Sequence, residues 1–314
     1  MTPTTPIKKG PNLGAIAVIT MAVAANLALS WLMAQWSYGW FPPQASTAAP
    51  YVDNLFALET GIGTFVFLGC TGVMAWSLLF DRAPKYDESY GAPIEGNTRL
   101  EVIWTAIPFV LVMAIAFWTI RASDKLGMLG PMEHIHLRNA SEEVGGYPGD
   151  RLPAEQVEVI ARQWSWEFRY PGSNVSSTEL HLELDQPVSL RLVSEDVLHS
   201  LFIPAFRIKQ DLVPGRAIDL NLTPTRTGVY RLRDAQFSGT WHAANQADVV
   251  VESAEDHRQW LEQGASQPLQ PGLSVAVDEF AIRQTKANPG WATVPPAPPP
   301  QVNVPGDPQQ PHDA

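Results

Sequence analysis

"TELHLELDQPVSLRLVSEDVLHSLFIP", Thr178–Pro204, decides the fold. Leu180, Leu182 and Leu184 alternate with polar residues. After the break at Asp185–Pro187, Val188, Leu190 and Leu192 alternate again. A period of two interrupted by a turn signal reads as consecutive strands with one buried face. The same pattern precedes it in "EQVEVIARQWSWEFRYPG" (Glu155–Gly172) and follows it in "AIDLNLTPTRTGVYRLRDA" (Ala217–Ala235). Short strands at this spacing predict a Greek-key β-sandwich or barrel over residues 155–253, long enough to bury its own core.

Outward from this domain the composition changes. Toward the N-terminus lie three apolar segments, Leu13–Trp36, Leu55–Phe80 and Val102–Ile120, carrying a single charge, Glu59. Each reaches or nears the ~20 residues that cross a bilayer core, and tryptophans such as Trp36, Trp76 and Trp104 stand at their ends. The first segment is read as a retained helix; the alternative is a signal peptide with Lys8 and Lys9 as its basic region. Lys8 and Lys9, and then Arg82, Lys85 and Arg99, put the N-terminus and the second loop on the cytoplasmic side, so everything after Ile120 falls outside. The division expected is residues 1–50 as a transmembrane helix or signal anchor, 51–125 as a transmembrane hairpin and 126–154 as a linker. The external β-domain follows at 155–253. Ser253 as cap and "AEDHRQWLEQ" predict a short helix over 254–263. Residues 264–314, rich in Pro, Gln and Ala, are expected to be disordered.

Among 314 residues the net charge is −11, which excludes a general nucleic-acid surface. The single cysteine, Cys70, excludes a disulfide framework and a zinc knuckle.

Three motifs carry a resemblance: "PIEGNTRLEVIWTAIP" (Pro93–Pro108), "RQWSWEFRYP" (Arg162–Pro171) and "SEDVLHSLFIPAFRIKQDLVPGR" (Ser194–Arg216). In this order they closely resemble subunit II of haem–copper terminal oxidases, over roughly Tyr51–Glu252. The wording of the third motif and the extra N-terminal helix are most similar to cyanobacterial members, among them the alternative respiratory terminal oxidase. The resemblance implies a membrane-anchored all-β protein: a cupredoxin-like domain outside the membrane and a helical hairpin against a partner subunit I that holds the haems and one copper and reduces O2. A subunit III and the lipid bilayer are the other partners implied.

In the family, a dinuclear copper centre takes a histidine from the "DVLHS" strand and a loop of form C-x-E-x-C-x-x-x-H-x-x-M. On this chain those positions are His199, then Asp234, Gln236, Ser238, His242 and Asn245. Both cysteines, the glutamate and the methionine are absent. A bridged copper pair needs two thiolates, and Cys70 lies in the second apolar segment. No cofactor is therefore expected in this chain. A single ion on His199, His242 and Asp234 is one alternative; two relic histidines hydrogen-bonded within the loop is the other, with Ser238 and Asn245 bonding to loop backbone. Gln236 stands where the family glutamate helps hold an interface magnesium, which weakens that site. Trp164 matches the family's electron-entry tryptophan; the plainer reading packs it with Trp166 and Phe168. Glu101 matches the glutamate at the mouth of a proton channel, a role its membrane-boundary position allows; as a first-turn acid it also suits the helix dipole. Glu95 reads as a solvated loop acid.

The function implied is that of a non-redox subunit of a proton-pumping oxidase fed by membrane quinol through subunit I, in a plasma or thylakoid membrane. Two alternatives stay open. Cytochrome c would pass electrons straight to haem, or the chain would be a membrane-anchored binding or assembly module.

Overall fold

The computed structural model describes residues 13–80, 82, 86, 96–126, 155–286, 288 and 290–306, with the backbone alone at 121–126. Lys8, Lys9, Lys85, Glu95, residues 127–154 of the expected linker and residues 307–314 lie outside the described residues. The chain forms two compact units: Met1–Trp40 with Asp53–Ile115, and Phe41–Val52 with Ala116–Ala314.

The first unit is helical. α1 spans Leu13–Ser37, α2 Ala49–Phe80 and α3 Thr98–Leu126. All three are long and apolar enough to cross a membrane, with mean hydropathies of 2.0, 1.8 and 2.2. Their apolar side chains point outward nearly all round, Leu78, Phe67 and Ile107 among them, which is how a helix made to meet lipid or partner helices presents itself. α1 and α2 approach at small residues: a Cβ built on Gly61 would stand 3.3 Å from that of Ala34. Asn26 Nδ2 donates to the Phe65 carbonyl across the same crossing at 3.0 Å. α3 is capped by Asn97, whose Oδ1 accepts from the Arg99 and Leu100 amides at 3.1 and 3.4 Å.

The second unit is a β-sandwich. Its strands are β1 (Glu155–Arg162), β2 (Ser165–Tyr170), β3 (Val175–Ser177), β4 (Leu180–Glu183), β5 (Val188–Ser194), β6 (His199–Ile203), β7 (Ile208–Leu212), β8 (Ala217–Leu222), β9 (Gly228–Asp234) and β10 (Gln246–Glu252). One sheet has the order β3-β2-β1-β5-β8, the other β4-β10-β9-β6-β7. β1 runs parallel to β5 and β4 parallel to β10, while the remaining neighbours in the two sheets are antiparallel. The alternation read from the sequence becomes the core. Leu180, Leu182, Val188, Leu190 and Leu192 are buried with Trp166, Phe168, Tyr230 and Val249 between the sheets. Leu184 falls one residue past the end of β4 and packs only partly against them. The Phe41–Val52 segment belongs to this unit. Ala45 N–H donates to the Ala205 carbonyl at 3.0 Å, and the Ala45 carbonyl accepts from Thr225 N–H at 2.9 Å; Ser46 Oγ donates to the Phe206 carbonyl at 2.8 Å.

After β10, α4 (Ala254–Ala265) begins at Ser253, whose Oγ accepts the Asp256 amide at 3.2 Å. The expectation of a disordered segment over 264–314 needs correcting up to Gly306. β11 (Gln270–Pro271) pairs with β12 (Gln301–Val302), and α5 spans Val275–Gln284 between them. Val304 N–H donates to Ser176 O at 3.0 Å, and Asn303 Oδ1 accepts the Ser176 amide at 3.0 Å. The segment has too few apolar residues to form a core. It is ordered by the open backbone edge of β3 and by single apolar anchors, Ala276 and Val302, both fully buried. Composition does not record a hydrogen-bonding edge offered by another part of the chain.

Candidate functional site

The site lies where β6 starts, β9 ends and β10 begins. The β6–β9 register sets Leu201 against Asp234, which brings the head of β6 beside the Asp234 carboxylate. His199 is fully buried. Its Nδ1 lies 2.7 Å from Asp234 Oδ2 and its Nε2 2.9 Å from Asp196 Oδ1. With both carboxylates ionised, each ring nitrogen faces an acceptor, which favours the doubly protonated imidazolium. Burial pulls its pKa down, but the hydrogen bonds and charges of Asp196 and Asp234 outweigh that and hold it up at about 8. Burial likewise opposes ionisation of both aspartates, and their bonds to His199 and to backbone amides reverse it, so both stay below the usual carboxylate range.

Asp234 is saturated. Oδ1 accepts the Ser200 and Gln236 amides at 2.8 and 3.1 Å; Oδ2 accepts His199 and, at 3.0 Å, Asn245 Nδ2. Asp196 accepts the Gln163 amide at 2.7 Å and the Val197 amide at 2.6 Å. Trp166 Nε1 donates to the Asn245 carbonyl at 3.2 Å and its ring stands edge-on to His199. Three of the six ligand positions are thus cross-linked directly to one another: His199, Asp234 and Asn245.

The side chains of the other three are not part of this cross-link. Gln236 Nε2 donates to Asp211 Oδ2 at 3.1 Å. Ser238 uses its carbonyl, which accepts from Gln163 Nε2 at 2.6 Å and Trp164 Nε1 at 3.2 Å. The expectation that the Ser238 and Asn245 side chains bond to loop backbone is corrected. Ser238 Oγ has no partner among the described residues, and Asn245 bonds to a carboxylate. His242, in a 3-10 turn (His242–Ala244), packs its ring 5.1 Å from that of Phe237 and leaves its buried Nδ1 without a partner among the described residues.

A bridged copper pair does not fit this donor set. At the six ligand positions the buried side-chain atoms without a partner among the described residues are a hydroxyl, an amide oxygen and an imidazole nitrogen, none of them a thiolate. Both ring nitrogens of His199 are already engaged by carboxylates. Among the described residues, no three His, Cys, Asp or Glu side chains gather as a metal site would need, so His199, His242 and Asp234 do not converge as a ligand set.

Trp164 is buried, 1% exposed. Gly239 makes this possible: its φ is +121° and a Cβ there would meet Trp164 Cζ2 at 2.7 Å. The C-terminal segment also reaches this point, with Ala297 N–H donating to the Gln163 carbonyl at 2.7 Å. Glu101 sits in the first turn of α3, its amide donating to Asn97 O at 3.0 Å. Its carboxylate folds over Gly96, where a Cβ would come within 2.7 Å of Oε1.

Asp196, the second clamp on His199, went unread in the sequence. The signal was present: an acid three residues before the histidine in "DVLH", on the turn entering β6.

The family description "Cytochrome C oxidase subunit II, periplasmic domain" matches residues 175–254, and "Cytochrome C oxidase subunit II, transmembrane domain" matches residues 33–122. The chain is 31% identical over 290 residues to a cytochrome c oxidase subunit 2 of Thermostichus vulcanus, covering 81% of this chain and 88% of that protein. It is 31% identical over 277 residues to a cytochrome c oxidase subunit 2 of Synechocystis, covering 80% and 83%. To a quinol oxidase subunit 2 of Bacillus subtilis it is 28% identical over 213 residues, covering 67% and 61%. The three span-capable helices and the transmembrane match set the protein in a membrane, with its β-domain on the outer side. The chain belongs to the subunit II family of haem–copper terminal oxidases.

Proposed function

We propose that this subunit does no redox chemistry of its own and serves an oxidase fed by membrane quinol. The observation that carries the reading is the Asp196–His199–Asp234 clamp with Asn245 against it. Where a copper relay would need two thiolates and free imidazole nitrogens, this chain has a protonated imidazole, two carboxylates and an amide. Its only thiol, Cys70, is in α2. A lipid-soluble donor reaching the haems of a subunit I within the membrane does not require an external relay. The quinol oxidase name of the Bacillus subtilis relative is in line with this reading.

In this role the helices hold subunit I, and a subunit III completes the complex. The haems and one copper belong to subunit I. Gln236 spends its amide on Asp211 and offers an interface magnesium no carboxylate. Glu101, at the start of α3 with its carboxylate over Gly96, stands at the cytoplasmic mouth of a proton path into subunit I. A second reading, cytochrome c delivering electrons straight to haem, has the cytochrome c oxidase names of the two 31%-identical relatives in its favour.

The test is oxygen uptake by the purified complex with reduced quinol against reduced cytochrome c, with copper counted per haem on the same sample. Rapid quinol oxidation, with copper sufficient for subunit I alone, is the expected result. Rapid cytochrome c oxidation supports the second reading, and two further coppers overturn the first. For the proton path, Glu101→Gln lowers turnover about 10-fold or more while leaving the haem spectrum unchanged; full turnover removes Glu101 from the path.

A further inference from the structure

A second set of titratable side chains lies away from the His199 clamp, with no part in the reading above. His181 on β4 and His257 on α4 are both buried. His181 Nδ1 lies 3.0 Å from Glu252 Oε1 and its Nε2 3.5 Å from Glu179 Oε2. His257 Nδ1 lies 3.1 Å from the same Glu252 oxygen, and its Nε2 3.2 Å from Glu155 Oε2. The result is a ladder, Glu155–His257–Glu252–His181–Glu179, in which every ring nitrogen faces a carboxylate. Carboxylates only accept, so both rings carry two protons. Trp260, one turn along α4 from His257, stacks on His181 with ring centroids 3.9 Å apart and planes 10° apart. Tyr170 closes the floor, its hydroxyl donating to His181 O and accepting from His181 N.

The ladder joins both sheets and the helix that follows them. Glu155 belongs to β1 in one sheet, Glu252 and His181 to β10 and β4 in the other, and His257 to α4. β3 and β4 are edge strands of the two sheets, and α4 lies against both of them.

We propose that this ladder is a pH-dependent latch, fastening α4 across the edges of the two sheets while both imidazoles are protonated and loosening it in alkali. The groups facing the histidines are Glu155 on β1, Tyr170 on β2, Glu179 just ahead of β4 and Glu252 on β10; Glu183 on β4 and Arg258 on α4 border the cavity beside His257. Loss of the two imidazolium protons would leave three carboxylates, formally two charges more negative, in a buried space. At one end Glu155 and His257 border a cavity of about 690 Å³, and at the other Glu179 borders one of about 310 Å³, so both ends of the ladder can exchange protons with solvent.

The direction follows from the shifts. Burial opposes the charge on His257, and Glu155 and Glu252 more than restore it, to about 9; His181 is raised for the same reason by Glu179 and Glu252. A histidine raised in the folded state stabilises fully below its unfolded value, and that contribution is lost as pH rises through the folded one. The latch is therefore closed near and below pH 6.5 and opens progressively toward pH 9. On the outer face of a membrane, acidification tightens it.

Hydrogen exchange on the full chain within the purified complex tests this, with α4 amides read against those of β9 and β10 and corrected for the intrinsic rate. Protection of α4 is expected to fall about tenfold or more between pH 6.5 and 9.5 while the sheet amides hold. His257→Gln should give α4 the low protection at every pH. Equal α4 protection at the two pH values in the unaltered chain overturns the proposal, as does a His257→Gln chain that keeps the pH dependence. If that variant does not assemble, the series on the unaltered chain decides alone.

Discussion

Three histidines of the outer domain have a carboxylate at each ring nitrogen, and two of them contrast: His199 between Asp196 and Asp234, and His257 between Glu155 and Glu252. His199 is closed in by its own loop system, and its partners are also held by backbone amides. His257 reaches across elements, its partners standing on β1 and β10 and itself on a helix appended to the sandwich. One arrangement braces a loop; the other fastens separate pieces. The same ion-pair chemistry therefore gives local rigidity in one place and long-range attachment in the other. Removing a partner should damage the first more than the second.

The largest effect is expected at Asp234. Asp234→Leu leaves His199 buried with one uncompensated side and strands the Ser200, Gln236 and Asn245 donors. It should cost about 3–5 kcal/mol, read as a drop in the thermal midpoint of the full chain. A loss under about 1 kcal/mol would mean the clamp does not brace the loop and would break the comparison.

Alkali comes next. His199 is held at about 8 and His257 at about 9. Both contributions are complete below about pH 6.5 and lost as pH rises through those values. Glu252, which its two histidines hold down at about 2 against the opposing pull of burial, adds stability present above about pH 4.5 and lost on acidification toward 2. The thermal midpoint should therefore be highest between about pH 4.5 and 6.5, falling on the alkaline side by the equivalent of about 2 kcal/mol once the partly exposed Glu155 is discounted. A midpoint that rises from pH 6.5 to 9 contradicts both imidazolium assignments.

Gly239→Ala is the third test. Its positive φ and the 2.7 Å approach to Trp164 predict a cost of about 1–3 kcal/mol and a red-shifted tryptophan emission. An unchanged spectrum would show that Trp164 does not depend on the loop for its burial. Ser253→Ala is the smallest, about 1 kcal/mol through loss of the α4 cap. It sharpens the comparison, because it weakens α4 without touching the ladder and should leave the pH dependence of α4 intact.

Much of the fold was legible because burial leaves a period in the sequence. Leu180, Leu182, Leu190 and Leu192 announced their strands, and the three apolar runs announced the helices of the first unit. The position of the site was legible too, since His199 and the 234–245 loop could be matched motif by motif. Its bonding was not. Nothing in the spacing distinguished an Asn245 that bonds to loop backbone from one that bonds to Asp234, because that depends on a β6–β9 register fixed by the whole sheet. The ladder was less visible still: Glu155 and His257 are 102 residues apart, and each taken alone reads as a surface residue.

The sequence by itself determined that the chain resides in a membrane and carries a single thiol. Three apolar runs require a bilayer, because no polar face is available to meet water, and one cysteine cannot supply two bridging thiolates wherever the chain folds. The tertiary structure alone decided what stands in their place. It set a second carboxylate on His199, drew the C-terminal segment onto the β3 edge and brought His181 and His257 to one shared oxygen of Glu252. The physical reason is that composition and period are local properties, whereas the protonation of a buried imidazole depends on which charges the packed sheets bring within about 3 Å of it.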